Sequence, residues 1–311
     1  MTSESRIRFE PGLKLARHKR LIDYLDGESV SPINIEISPS GVCNASCEHC
    51  FYRQDPEKTK GLDAIFLKEE RMEPLIKEFL DFDVRSISWT GGGEPTLHPS
   101  FYKFVKWAYD SRIKQGLFTN GLSKINFDPS KLDWIRVSKT NKDWNVNNLK
   151  YLRNCNTLGM CFNYNGEKDN QSVEETLKIA EDIKATYVQL RPVLPINGEK
   201  TTVEVPQIEH PLLFITNYKF IGSNSDREYE LCEAYHFNPF IWQDGNVDVC
   251  GYHKDNPKFN LGNIYKSNFK EIMQKAPAFI PVEDNCQICC KLNSMNSIIY
   301  GMRRLVDVDF P

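Results

Sequence analysis

The sequence predicts an α/β protein built around a parallel sheet, followed by a small cysteine-bearing unit that carries a β-hairpin. Three observations predict it. Strand and helix signals alternate from about residue 31 to 195, the pattern of βα units around a parallel sheet. Three cysteines at C-x3-C-x2-C spacing, Cys43, Cys47 and Cys50, follow the first of those strands. The last third of the chain gathers Cys232, Cys250, Cys286 and Cys289 around an Asp244-Gly245 turn. The 311 residues then divide into an N-terminal extension (1–30), the sheet domain (31–215) and the C-terminal unit (216–311).

The expected strands are 33–38, 86–90, 116–120, 134–139, 160–165 and 187–192. Between them, Met72, Leu75, Ile76, Phe79 and Leu80 recur at helical spacing, with Pro74 implying a kink or a later start. Ser172-Val-Glu-Glu175 reads as a capping box. Thr119-Asn-Gly121 reads as a turn.

Several strands alternate where parallel strands covered on both faces normally run continuously apolar. Asn34, Glu36 and Ser38 share one face; Ser86, Ser88 and Thr90 share another; Arg136 pairs with Ser138, and Gln189 with Arg191. With the apolar sides against helices, the interior becomes a polar ligand cavity rather than a packed centre. An antiparallel sheet with one wet face would alternate in the same way, but the intervening helices argue against it.

Composition is compatible with this plan. Hydrophobic residues make up 40%, enough for a core in a chain of this length. A net charge of −3 gives no reason to expect nucleic acid or a bilayer as partner. There is no long apolar run and no signal peptide, and the ten cysteines are clustered. Clustered thiols point to metal in a reducing cytoplasm rather than to disulfides.

Three thiolates as close as Cys43, Cys47 and Cys50 can hold three corners of an iron–sulfur cube, leaving one iron open to an exogenous ligand. A short zinc site or three buried thiols would use the same spacing. The second strand leads into Gly91-Gly-Gly-Glu-Pro95, a turn where backbone can approach a ligand because no Cβ intervenes. In this order the two motifs resemble the radical S-adenosylmethionine (SAM) superfamily, although His49 stands where that family usually has an aromatic residue before the third cysteine.

The resemblance implies a partial (β/α)6 barrel in which Cys43, Cys47 and Cys50 ligate a [4Fe-4S] cluster whose open iron is chelated by SAM. It further implies that Gly92, Gly93 and Glu94 hold the methionyl amine, that Ser138 contacts the ribose and that Arg191 pairs with the SAM carboxylate. Asn163 would reach the same cavity. Each of these could instead be a satisfied structural polar group.

Around the expected hairpin 240–249, four thiolates would suit a structural zinc or a fully ligated cluster. Beside the first motif they resemble a SPASM or twitch extension, implying one auxiliary [4Fe-4S] cluster on Cys232, Cys250, Cys286 and Cys289. Cys290 competes with Cys289 as ligand, and no cysteine follows it to hold a second auxiliary cluster. Cys161 and Cys290 are candidate hydrogen-atom donors; Cys155 completes the ten, and a buried thiol acting as a small hydrophobe is the alternative.

The implied reaction is reductive cleavage of SAM to a 5′-deoxyadenosyl radical and hydrogen abstraction, the auxiliary cluster making it a net oxidation. About forty residues before Cys43 are too few for a folded leader-binding domain, which favours a small polar substrate such as a sugar, aminocyclitol or nucleoside. A peptide substrate, or activation of a partner protein, is the enzymatic alternative. A non-enzymatic iron–sulfur or zinc protein is the alternative of another class. A flavodoxin or ferredoxin would supply electrons.

Overall fold

The computed structural model describes residues 10–50, 52, 65–193, 203–216, 220, 227–282, 286 and 292–306. Parallel strands β1 (Asn34–Ile37), β2 (Ser86–Trp89), β3 (Lys114–Thr119), β4 (Trp134–Ser138), β5 (Leu158–Tyr164), β6 (Tyr187–Pro192) and β7 (Leu213–Ile215) lie side by side in chain order. Sequential parallel order is the connectivity of a partial (β/α) barrel. The six expected strands are present within two residues of their predicted ends. The seventh, Leu213-Phe-Ile, was not foreseen, because three apolar residues show no period.

Helices α1 (Pro11–Ala16), α2 (Lys19–Leu25), α3 (Glu69–Asp81), α4 (Phe101–Asp110), α5 (Val146–Leu152) and α6 (Asn170–Asp182) lie in the N-terminal and barrel regions. Ile37, Trp89, Leu117, Ile135 and Leu158 form one paired row across the sheet. They pack with Leu75, Phe79, Phe104, Leu149 and Leu177 of α3 to α6 in one apolar core. Burying such side chains contributes roughly 1.5–3 kcal/mol each.

Two helical expectations need correction. Leu80 is 44% exposed, since the core stripe of α3 ends at Phe79 and the chain turns away at Phe82. Pro74 sits inside α3, which starts at Glu69 rather than beyond the proline. Ser172 is not a cap: α6 begins two residues earlier, continuing the 3-10 turn Glu167–Asp169, so its first N–H groups need no Ser172 side chain.

The C-terminal part contains β8 (Leu231–Cys232), β9 (Phe240–Ile241), β10 (Asn246–Asp248), β11 (Asn260–Asn263), α7 (Phe269–Lys275), β12 (Ile280–Pro281) and α8 (Asn293–Met302). The expected hairpin is β9–β10, turning at Gly245 with φ +84°, a value that favours glycine. It does not stand apart from the barrel. Strand β9 pairs in parallel with β1, Glu36 opposite Phe240 and Ile37 opposite Ile241, so that β9 to β11 extend one ten-stranded sheet. Leu15 and Leu21 of α1 and α2 join Tyr235, Phe237, Phe259 and Ile299 in a second core.

Candidate active site

The polar alternation places Asn34, Glu36, Ser38, Ser86 and Ser88 on the sheet face opposite the helix-packed core, where they bond to one another. Ser86 and Ser88 hydroxyls donate to Asn34 Oδ1 at 3.0 and 3.1 Å, and Asn238 Nδ2 donates to Glu36 Oε1 at 3.2 Å. Arg136 Nη1 donates to Gln189 Oε1 at 2.6 Å, and Gln189 Nε2 to Thr216 Oγ1 at 2.9 Å. This face is not polar throughout. The Trp134 and Tyr187 rings lie where a Cβ on Gly116 or Gly159 would stand, and Phe118 packs on Trp134 with centroids 4.7 Å apart. Glycine on the neighbouring strand is the signal that admits them.

The loop after β1 carries the cysteine triplet and is laced to the glycine turn after β2. Gly93 N–H donates to Ser40 O at 3.1 Å and Glu94 N–H to Val42 O at 2.8 Å. A Cβ on Gly93 would collide with backbone atoms of Ser40, Gly41 and Val42, so only glycine allows this approach. Gly92 N–H donates to Ser38 Oγ at 3.1 Å. The Glu94 carboxylate is 3% exposed and receives four donors: Thr96 N–H and Oγ1, Thr119 Oγ1, and the backbone N–H of Asn120. Burial raises its pKa, and those hydrogen bonds oppose the shift.

Asn120 links this turn to the triplet: its Nδ2 donates to Asn44 Oδ1 at 2.7 Å and stands 3.8 Å from Cys43 Sγ. The Cys50 N–H closes a turn onto Cys47 O at 3.1 Å. Burial raises the Cys47 pKa; the backbone N–H of Asn141 opposes this, while Cys50 and Cys43 nearby push the same way as burial. His49 is held below its usual pKa by burial and by Arg191 across the site. Arg191 Nε donates to Asn163 Oδ1 at 2.6 Å. Asn163, Cys47, His49, Lys139, Asn141 and Lys168 border a cavity of about 390 Å³ at the strand ends.

Ser138 stands beside Cys161, and Cys161 beside Gln189, across β4 to β6. Cys161 is fully buried and does not border that cavity. Burial pushes the Cys155 thiol up to about 11, on the core side.

A second group forms in the C-terminal part. Cys232, Cys250 and Cys286 belong to one apolar cluster. Asn296 Nδ2 donates to Cys232 Sγ at 3.4 Å, and His253 Nε2 lies 3.1 Å from Cys286 Sγ. Cys289 and Cys290 lie outside the described residues. Tyr52 packs edge-on against Trp242 of the hairpin at 5.6 Å. Burial holds its phenol above the usual pKa, with Tyr252, Cys50 and Cys250 as contributing neighbours.

Among the described residues no three His, Cys, Asp or Glu side chains stand in finished metal-ligand geometry. The fit to an iron–sulfur cluster with SAM rests on donor chemistry and on the cradle around it. Three thiols share one short loop. The Gly turn packs directly on that loop. Gln243 is fully buried beside Ser38, its Oε1 accepting from Ser38 Oγ at 3.1 Å while its Nε2 has no partner among the described residues. A built but unsatisfied amide next to the glycine turn is what a polar ligand would complete. Asn120, Gln243, His253 and Asn296 were not singled out from sequence as site residues, since isolated residues 70 or more positions from the triplet carry no spacing signal; Tyr52, two residues past Cys50, was passed over because a single aromatic there marks no partner.

No family model matches the chain. The chain is similar to YydG of Bacillus subtilis (strain 168), named for peptide biosynthesis, at 23% identity over 78% of this chain and 76% of that protein. A shorter stretch is 32% identical to GTP 3′,8-cyclase of Chlorobaculum tepidum, covering 30% of this chain and 23% of that protein. Among solved structures, SuiB of Streptococcus suis bound to S-adenosylmethionine matches with TM-score 0.59 and 15% identity, over 84% of this chain and 69% of that one. SuiB bound to its precursor peptide SuiA matches with TM-score 0.60 and 16% identity, over 86% and 70%. No helix among the described residues is long and apolar enough to cross a membrane. With its sequential parallel sheet the chain shares the fold of these solved structures, and its cysteine triplet laced to a Gly-Gly-Glu-Pro turn is the pair of motifs by which it resembles the radical SAM superfamily.

Proposed function

We propose that the protein is a radical SAM enzyme that modifies a peptide, using SAM on the Cys43, Cys47 and Cys50 cluster and one auxiliary cluster in the C-terminal part. The observation that carries the peptide reading is the similarity to YydG, which runs through 78% of this chain. Bound SAM on a reduced cluster supplies a 5′-deoxyadenosyl radical that abstracts hydrogen from an unactivated C–H bond. A flavodoxin or ferredoxin supplies the electron.

The chain's own residues position and shield. The Gly92–Gly93 backbone receives the methionyl amine, and Glu94 fixes the turn through its four donors. Arg191, oriented by Asn163, would pair with the SAM carboxylate, and Ser138 would contact the ribose. The Trp134, Phe118 and Tyr187 rings exclude water from below. Cys232, Cys250, Cys286 and Cys289 would hold the auxiliary cluster, which would supply an electron acceptor for the substrate.

A small polar substrate is the second reading, favoured by the 390 Å³ cavity bordered by Lys139, Asn141, Asn163 and Lys168. The test is anaerobic SAM cleavage by the reconstituted protein with dithionite. Wild type is expected to release 5′-deoxyadenosine faster when its peptide substrate is added, and Cys43→Ala none. Stimulation by sugars, aminocyclitols or nucleosides but by no peptide would replace the peptide reading with the second one.

A further inference from the structure

We infer that Asn296 and His253 are N–H···S donors that raise the reduction potential of the auxiliary cluster; the inference rests on the reading of Cys232 and Cys286 as cluster ligands. Asn296 lies on α8, 3% exposed. Its Oδ1 accepts from the backbone N–H groups of both Glu233 and Ala234, each at 2.8 Å. Two N–H donors settle which amide atom is the oxygen, so the NH2 group is the one turned to Cys232 Sγ at 3.4 Å. The same side chain therefore fixes the backbone following Cys232 and addresses its sulfur.

His253 is 8% exposed, and its ring stacks on Phe259 with centroids 4.0 Å apart and planes 11° from parallel. The stack sets the ring plane, which carries Nε2 to 3.1 Å from Cys286 Sγ. The other side of Cys286 is held by Arg227, whose Nη2 donates to Cys286 O. The His253–Cys286 distance is that of an N–H···S contact, with Nε2 carrying the proton.

Hydrogen bonds to cluster sulfurs disperse negative charge and favour the reduced cluster, which carries one charge more. Two such donors, on two different cysteines, bias this site toward holding an electron.

The test is a potentiometric titration, followed by electron paramagnetic resonance (EPR), of full-length protein carrying Cys43→Ala, Cys47→Ala and Cys50→Ala, so that only the auxiliary cluster is observed. Into it are placed His253→Phe, which keeps the stack and removes the donor, His253→Gln, which returns a donor, and Asn296→Asp, which keeps the acceptor for Glu233 and Ala234. The inference expects iron content unchanged, a more negative midpoint in His253→Phe and Asn296→Asp, and recovery in His253→Gln. Unchanged midpoints with full iron would overturn it. Loss of iron in His253→Phe would also overturn it, making the histidine a ligand. Zinc without iron in the triple variant would instead sink the cluster reading itself.

Discussion

The backbone N–H of Asn120 donates to Glu94 Oε2 at 2.7 Å, joining the end of β3 to the glycine turn after β2. With Thr96 and Thr119 on Oε1, the carboxylate ties its own turn to the end of β3, and Asn120 carries the connection on to Asn44 beside Cys43. Glu94→Gln presents an NH2 group to donors and leaves at least one buried group unsatisfied. The expected loss is about 1–3 kcal/mol of stability, read by chemical denaturation. An unchanged midpoint would mean that the carboxylate does not hold the turn.

Gly93→Ala should damage the cysteine loop specifically. Its Cβ would press on the Ser40–Val42 backbone, which cannot swing away as a flexible side chain would. We expect roughly 1–3 kcal/mol of strain and a first site that takes up less iron, while iron bound by the C-terminal cysteines persists. Iron counting on Gly93→Ala and on Gly93→Ala with Cys232→Ala separates the two. Full loading of both sites would contradict the close-approach argument.

Gly116→Ala and Gly159→Ala test the aromatic floor. Each methyl would occupy space held by the Trp134 or Tyr187 ring. A loss of roughly 1–3 kcal/mol is expected for each, with a change in tryptophan fluorescence only for Gly116→Ala. Wild-type stability in both would show that these rings do not cover the sheet.

Much of this was legible in the chain. The period-2 polar runs located the polar face of β1, β2, β4 and β6 opposite the helix-packed core, and the Asp244-Gly245 turn located the hairpin, because both signals are local. The pairing of β9 with β1 was not legible, since Glu36 and Phe240 are brought together by tertiary folding and neither residue marks the other. Gln243 and Asn296 were hidden for the same reason: what matters about them is a partner more than 60 positions away, Ser38 in one case and Cys232 in the other. Ser172 misled because a capping-box pattern carries no information about the 3-10 turn that precedes it.

His98 gives the expected pH dependence of stability. Its Nε2–H donates to Leu67 O at 2.7 Å and its Nδ1 accepts from Ser100 N–H at 3.0 Å, so a second proton would break the latter bond. Burial holds its pKa below that of an ordinary histidine. The unfolded state then binds the proton more readily, so stability is fully present above about pH 6.5 and falls as pH drops below it. His98→Gln should flatten this slope in denaturation midpoints between pH 5 and 7. An identical slope in the variant would remove His98 as its source.

The most direct test of the central claim, that Cys43, Cys47 and Cys50 hold a cluster with an iron open to SAM, is the EPR spectrum of the dithionite-reduced Cys232→Ala protein with and without SAM. The account predicts a reduced [4Fe-4S] signal that changes on adding SAM and vanishes in the additional Cys43→Ala variant. A cluster signal that SAM leaves unaltered would contradict it.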